Sequence, residues 1–476
     1  MSREVVLRPH LPHLPRQLSV ALVAALCGCG HPPDDPGSAG PAKPASATTI
    51  APGDGGEAPR QSSSARTEPT RAASCPEISR DEAWLAIDDD APPLPALDDP
   101  RRNLGRFFER WAEVARGHSK RSLRIAVYGD SNLTMDGLTA MLRRAFQARY
   151  GDAGHGFVAL GRPWAWYRHK DVVHGLYESM WHSYATTTDP APDNRMGFSG
   201  IAAESRQAGA LSWVGTADAD APVGKAASRF GVYYLKMPGG GPFEIRLDGK
   251  TVREVPTRSK DYELGHEELT AEDGAHKIAF LAKGTVRLLG ATLERDPVSV
   301  TVDSLGVGSL NAWALARLDT AVNRAMLSHR DYDLVIFLVG TNMYALEKHH
   351  EWMGRVLRHH RLATPNLPVL LMSPPDITLG NHGQKTDPRI VTVAGQLHDI
   401  AREHGTAYWD FRAAMGGDRS IVTFRKKKWA QADLIHFTDD GSFFMGRRLL
   451  LALWKGFLGE LDAKPDLGCN HELPGR

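Results

Sequence analysis

The sequence predicts a three-layer α/β/α sandwich on a parallel sheet, with a β-sandwich domain inserted after the first strand–helix unit. Three observations carry this expectation. Short apolar runs alternate with amphipathic helical periods near residue 120 and again beyond residue 297. One run, Leu334–Val339, is almost uniformly apolar, as a strand covered on both faces requires. Between about Gly154 and Pro297 the helical period disappears and short β-like runs replace it.

In chain order, Leu104, Phe107, Phe108, Trp111 and Val114 share one helical face. Leu123–Tyr128 then reads as a buried strand running into Gly129-Asp130-Ser131. A helix follows, with Leu138, Met141, Leu142 and Phe146 on one side and Gly151 as its stop. In the interrupted stretch, Phe230–Met237, Phe243–Leu247, Lys277–Leu281 and Val286–Leu293 read as strands. Asp248-Gly249 and Asp273-Gly274 read as turns. Val298–Asp303 restarts the alternation, and a helix is expected from about Leu310 to Met326. Val369–Met372 and Ala407–Trp409 supply the last strands, and Gly441–Leu461 the closing helix. Residues 75–153 and 298–476 therefore form the α/β body. Residues 154–297 form the insertion.

The N-terminus reads as an address. Arg3, Arg8 and Arg16 precede the apolar run Leu18–Leu26, which is too short to span a membrane. The run ends Leu26-Cys27-Gly28-Cys29. This resembles a bacterial lipoprotein signal, which implies removal of residues 1–28 and lipidation of Cys29; a plain secretory signal is the alternative. Gly30 in place of Asp implies, by the same resemblance, an outer-membrane anchor in the cell envelope or periplasm. Residues 29–74 are rich in Pro, Gly, Ala, Ser and Thr, and Ile50 is their one large aliphatic side chain. Such a segment cannot bury enough apolar area to become ordered, so a disordered tether is expected.

Lys and Arg number 57 against 56 Asp and Glu. Loss of residues 1–28, with three arginines and one glutamate, leaves 54 against 55. That balance argues against a nucleic-acid partner. Four cysteines are too few for a disulfide scaffold, but Cys75 and Cys469, at the two ends of the body, could pair in an oxidising compartment.

Three segments carry chemistry, two just past strand ends and one before the closing helix. They are Gly129-Asp130-Ser131-Asn132, Gly340-Thr341-Asn342 and Asp433-Leu434-Ile435-His436. Open α/β sheets bind ligands beyond the carboxyl ends of their strands. Ser131 is a candidate nucleophile, His436 its general base and Asp433 the group that orients the imidazole. The Asn342 amide can donate to a developing oxyanion. Each segment alone is also an ordinary turn sequence; their joint occurrence favours acyl transfer.

These blocks resemble the SGNH hydrolases, the GDSL-like esterase and lipase superfamily, over residues 120–153 and 296–460. The resemblance implies a flavodoxin-like sandwich, an acyl-enzyme mechanism without a metal or cofactor, and an oxyanion hole. Its donors would be the Ser131 N–H, a second-block N–H and the Asn342 side chain. The second block is Gly306-Val307-Gly308-Ser309-Leu310, where Gly308 is favoured and Ser309 is the alternative. Asn132 replaces the common leucine at a variable position and is assigned no chemical role. Arg149–Phe157, followed by a large β-insertion, resembles the peptidoglycan O-acetylesterase branch, which implies a carbohydrate-binding role for the insertion at residues 154–297. The expected activity is that of a serine esterase removing O-acetyl groups from a cell-envelope or environmental substrate, an acetylated polysaccharide or peptidoglycan. An O-acetyltransferase and a non-catalytic carbohydrate-binding lipoprotein remain open.

Trp164, Trp166 and Tyr167 are read either as a sugar platform or, preferentially, as packing between the two domains. His349, His350, His359 and His360 are expected on a solvated helix face rather than around a metal, because ~16 Å separates His349 from His360 along the axis, too far for one ion to bridge. Arg425–Lys428 reads as a solvated basic patch. No Gly-x-Ser-x-Gly elbow occurs, which counts against an α/β-hydrolase.

Overall fold

The computed structural model describes residues 75–85, 91–379 and 383–469. The expected signal peptide, Cys29 and the tether lie outside the described residues. Five parallel strands form the central sheet in the order Val300–Gly306, Leu123–Gly129, Leu334–Leu338, Val369–Met372, Ala407–Trp409. In chain order this is 2-1-3-4-5, a doubly wound arrangement whose direction reverses between the first and third strands.

Alternate residues of each strand feed two cores. On one face, Ile125, Val127, Val302 and Ile336 pack under the helices Gly105–Ala115, Gly137–Tyr150 and Asp439–Ala463. The core is strongly aromatic there: Trp111 stacks on Phe457 with ring centroids 4.5 Å apart. Each such buried side chain contributes roughly 1.5–3 kcal/mol. On the other face, Ala126, Tyr128, Val335 and Phe337 meet the helices Thr320–Arg330, His349–Ala363 and Pro388–His404. The closing helix is capped by the Thr438 hydroxyl, which accepts from Gly441 N–H, and starts with Asp439 and Asp440 against its positive end.

The expected single helix from Leu310 to Met326 is two, Ala312–Ala316 and Thr320–Arg330. Asp319 breaks it, because its carboxylate caps the second helix by accepting from Val322 N–H at 2.9 Å. The four histidines also differ from expectation. His349, His359 and His360 are buried, and only His350 is exposed. His360 Nδ1 bonds Val356 O at 2.9 Å and its Nε2 lies 3.3 Å from Tyr128 Oη, while His349 meets Gln396. The imidazoles fill the layer between helix and sheet.

Residues 156–294 form two antiparallel sheets packed as a sandwich. One holds Glu263–Gly274, Ala227–Lys236, Val286–Glu294, Ile201–Ser205 and His182–Ala185, with Gly156–Val158 paired beside Val286–Glu294. The other holds Val172–Leu176, Leu211–Thr216, Lys277–Ala282, Phe243–Leu247 and Lys250–Val255. Phe230, Val232, Phe243, Ile245, Phe280 and Leu288 lie between them. Asp248-Gly249 is the expected hairpin turn, with φ of 49° and 80°. Asp273-Gly274 is not a turn: Gly274 still pairs with Ala227, and the chain crosses there to the other sheet.

The insertion leaves and rejoins the body side by side, with Arg295 N–H donating to Ala153 O at 2.9 Å. A buried ionic cluster bolts the two parts together. Asp303, on an edge strand of the central sheet, accepts from Arg330 Nε at 2.7 Å, Tyr332 Oη at 2.8 Å and Phe157 N at 2.8 Å. Arg330 also pairs with Glu294, the last residue of the insertion's final strand. Cys75 and Cys469 are disulfide-bonded with Cα atoms 5.8 Å apart, tying the start of the body to its end.

Candidate active site

Register decides which loops meet. Gly129 pairs with Gly306 on one side and Leu338 on the other. The three loops that follow these residues therefore leave the same edge of the sheet, at its switch point. They carry Ser131, Gly308 and Asn342. The first two loops are locked closely together: Val307 N–H donates to Gly129 O at 3.0 Å. A Cβ on Gly306 would stand 2.6 Å from the Leu133 carbonyl carbon, so only glycine fits.

The fourth segment reaches the same point from the far end of the chain. His436 Nε2 lies 2.8 Å from Ser131 Oγ, and His436 Nδ1 lies 2.6 Å from Asp433 Oδ2. Asp433 Oδ1 accepts from the backbone N–H of both Ile435 and His436 at 3.0 Å. Leu434 takes a left-handed φ of 57°, which folds the segment tightly enough for both side chains to converge. Burial opposes ionisation of Asp433, but the His436 ring and the two backbone N–H groups overcome it and hold the carboxylate down to about 2. The hydrogen bond to Asp433 in turn raises the His436 pKa above its ordinary value, against the effect of burial. A general base works only when neutral, so the sign is fixed. We expect kcat/KM for ester hydrolysis to fall about tenfold per pH unit on the acid side, with a midpoint above 6.5. Asp433→Asn should move that midpoint down; an acid limb left unmoved in a pH–rate profile would contradict the assignment.

Ser131 lies in the first turn after its strand, and its carbonyl accepts from Thr134 Oγ1 at 2.8 Å. Val307–Leu310 is a tight turn closed by Leu310 N–H to Val307 O at 3.0 Å, with Ser309 at a φ of 61°. Among the described residues, the N–H groups of Ser131, Gly308 and Ser309 have no intramolecular acceptor, and the buried Asn342 Nδ2 has no partner either. Gly308 O accepts from Thr187 Oγ1 at 2.6 Å, so the insertion holds this turn.

Asn132, assigned no role from sequence, spans the base segment. Its Nδ2 donates to Ile435 O at 3.3 Å and its Oδ1 accepts from Phe437 N–H at 2.9 Å, on either side of His436. A leucine offers neither bond. The signal was present in the sequence as an amide, with both donor and acceptor, next to the candidate nucleophile. We expect Asn132→Leu to lower kcat by about 10–100-fold, the scale of a small misplacement. Steady-state kinetics beside a thermal melt would check it; an unchanged kcat would remove the positioning role.

The three aromatics at the start of the insertion divide. Tyr167 is buried with its hydroxyl 3.0 Å from His169 Nε2, and Trp164 packs half-buried against the Gly308 turn. Trp166 is 57% exposed. Arg425–Lys428 is exposed, as expected of a solvated patch. Two other groups gather metal-type donor atoms within 4.8 Å: Asp136 with His155 and His169, and His266 with Glu268 and His329. In the first, the buried Arg143 guanidinium already neutralises Asp136, and a divalent ion would add uncompensated charge. In the second, His329 lies in the last turn of the helix Thr320–Arg330, which leads into the start of the strand Leu334–Leu338, whereas Ser131 follows the end of its strand.

A solved structure of a peptidoglycan O-acetylesterase matches this architecture with a TM-score of 0.64, covering 76% of this chain and 99% of that one. The chain shares its fold with that enzyme. Sequence identity is 22%, so the likeness is one of fold. A family two carbohydrate esterase from Clostridium thermocellum covers 59% of this chain and 99% of its own at 10% identity, with a TM-score of only 0.27. A salicylyl-acyltransferase from a tetracycline biosynthetic pathway covers 61% and 99% at 11% identity, with a TM-score of 0.25. Neither bears on the chemistry of this chain. No family model and no curated protein matches it.

Proposed function

We propose that the chain is a serine esterase of the SGNH type that removes O-acetyl groups from a cell-envelope polysaccharide, peptidoglycan in the first place. One observation carries the reading: the linked series Ser131–His436–Asp433 stands at the sheet edge that also presents N–H donors without acceptors. His436 takes the Ser131 proton as Oγ attacks the acetyl carbonyl. The oxyanion is received by the Ser131 N–H, the Gly308 or Ser309 N–H and Asn342 Nδ2. On collapse the C–O bond to the sugar breaks, and His436 returns the proton to the sugar oxygen, leaving acetyl-Ser131. Water, deprotonated by His436, then releases acetate. Asp433 fixes the imidazole tautomer throughout.

The polysaccharide part of the reading is supported by the fold shared with a peptidoglycan O-acetylesterase. Lipidation at Cys29 and an outer-membrane or periplasmic location belong to the same proposal. A disulfide between Cys75 and Cys469 suits such an oxidising compartment.

The test is acetate release by the protein from O-acetylated peptidoglycan and from acetylated xylan. Release from peptidoglycan in excess over xylan is expected. Acetate from neither, with acetyl groups passed instead to an added sugar acceptor, would replace the esterase by a transferase. Loss of palmitate labelling on Cys29→Ser would support the anchor.

A further inference from the structure

Five aromatic side chains are exposed among the described residues: Trp166, Tyr177, Tyr262, Trp313 and Tyr344. Three of them border the oxyanion loops. Trp166 belongs to the insertion and lies nearly parallel to Trp164, with ring centroids 6.5 Å apart and planes 21° apart. Trp164 abuts the Gly308 turn so closely that a Cβ on Gly308 would stand 2.9 Å from Trp164 Cζ2. Trp166 is therefore the outer leaf of a two-ring shelf whose inner leaf touches a candidate oxyanion donor. Trp313 follows the same turn and packs against Trp352.

Tyr344 lies two residues beyond Asn342, on the other side of Ser131. It is 73% exposed, and the Arg389 guanidinium sits 4.4 Å from its ring centroid. Arg389 is itself anchored to the Asn342 loop through Thr341 O and paired with Asp387 at 2.9 Å. One face of the tyrosine is thus braced, which lowers the entropy lost when the other face binds a ligand. Burying these rings in the core would have been favourable; their exposure is concentrated where substrate must arrive.

The sheet order sets their spacing. The strands ending at Gly306, Gly129 and Leu338 are consecutive neighbours, so the outer two loops leave the sheet ~10 Å apart, with Ser131 between them. We propose that Trp166 and Tyr344 are two sugar-stacking subsites that flank the nucleophile and hold a glycan strand across the sheet edge. Its acetylated ring lies over Ser131 between them. The occupant is a polymer of pyranose rings, whose apolar C–H faces suit exposed aromatic planes, and the acyl group enters between the platforms. This rests on the esterase reading above, and it adds that the inserted domain supplies one wall of the substrate groove. The Thr187 bond to Gly308 O makes the same domain a brace for the oxyanion turn.

The experiment has two arms. In the first, Trp166→Ala and Tyr344→Ala are assayed on O-acetylated glycan chains and on p-nitrophenyl acetate. Each is expected to raise KM for the glycan about tenfold, the double variant more, with kcat/KM for the small ester within about twofold. A glycan KM that stays put would overturn the proposal, as would a parallel fall on both substrates. In the second arm, binding of the same glycan chains to the Ser131→Ala protein is measured by calorimetry, with and without the two aromatic substitutions. Weaker binding in those variants supports the subsites even if the wild type releases no acetate, whereas equal binding refutes them. Failure of the esterase reading and failure of this one are thereby separated.

Discussion

Ser131→Ala is expected to lower kcat for acetate release by about 10⁶-fold, with the melting temperature unchanged. A hydroxyl 2.8 Å from an imidazole that is itself held at 2.6 Å by a carboxylate acts as one unit. In such units, losing the nucleophile or the base alone costs about as much as losing both. His436→Ala should therefore match Ser131→Ala, and the double variant should be no worse than either. Asp433→Asn should cost about 10⁴-fold, because an amide favours the wrong imidazole tautomer. Asn342→Ala, which removes one donor, should cost about 10²–10³-fold. Single-turnover measurements on acetylated glycan and on p-nitrophenyl acetate would check the series. Additive losses in the double variant, or residual wild-type activity in Ser131→Ala, would sink the assignment.

The second large effect is one of stability. Arg330→Met should destabilise the fold by ~3–5 kcal/mol, the typical cost of removing one partner from a buried ion pair. The Arg330 and Asp303 side chains are 3% and 0% exposed, and Glu294 is 6% exposed, so water cannot replace the lost charge. Burial alone would raise the Glu294 pKa; Arg330 and Arg124 reverse this and push it well below the carboxylate range. A group with a depressed pKa stabilises the fold at neutral pH and loses that contribution as pH falls through its folded value. The contribution should therefore largely persist at pH 4 and disappear only in stronger acid. Arg229→Met removes a half-exposed contact to the same Glu294 and should cost at most about 1 kcal/mol. Urea unfolding of the two variants at pH 7 and pH 4 would compare them; equal costs would show that burial of the cluster is not what matters.

The α/β layer was legible in the sequence because its signals are local. Leu334–Val339 and Val369–Met372 are uninterrupted apolar runs, and Leu123–Tyr128 is broken only by Arg124; strands buried on both faces leave that mark. The site segments were legible for the same reason, each being a short loop after such a run or before the last helix. The insertion was only half visible. Its edge strands, such as Lys250–Val255 with mostly exposed side chains, have no apolar alternation to read. Strands such as Val172–Leu176 and His182–Ala185 are short and carry histidine or glycine. The role of Asn132 could not be read, because its partners Ile435 and Phe437 lie some three hundred residues away and only the fold brings them near. The buried histidines of His349–Ala363 misled for a related reason. A polar residue looks solvated until its partner, here Tyr128 or Gln396, is known.

The hydrogen bond from Arg295 to Ala153 has a consequence for the order of assembly. Leu123 must pair with Val300, and in the unfolded chain the whole insertion lies between them. Closing so long a loop has an entropic cost and slows the search for the partner strand. Once the insertion has folded, its two ends stand a hydrogen bond apart, and the effective loop shrinks to the strand, helix and turn on either side. The central sheet is then completed quickly only after the sandwich exists. A substitution that weakens the core of the insertion, far from Ser131, would surface as delayed or failed maturation of the protein, with normal kinetics in the molecules that finish.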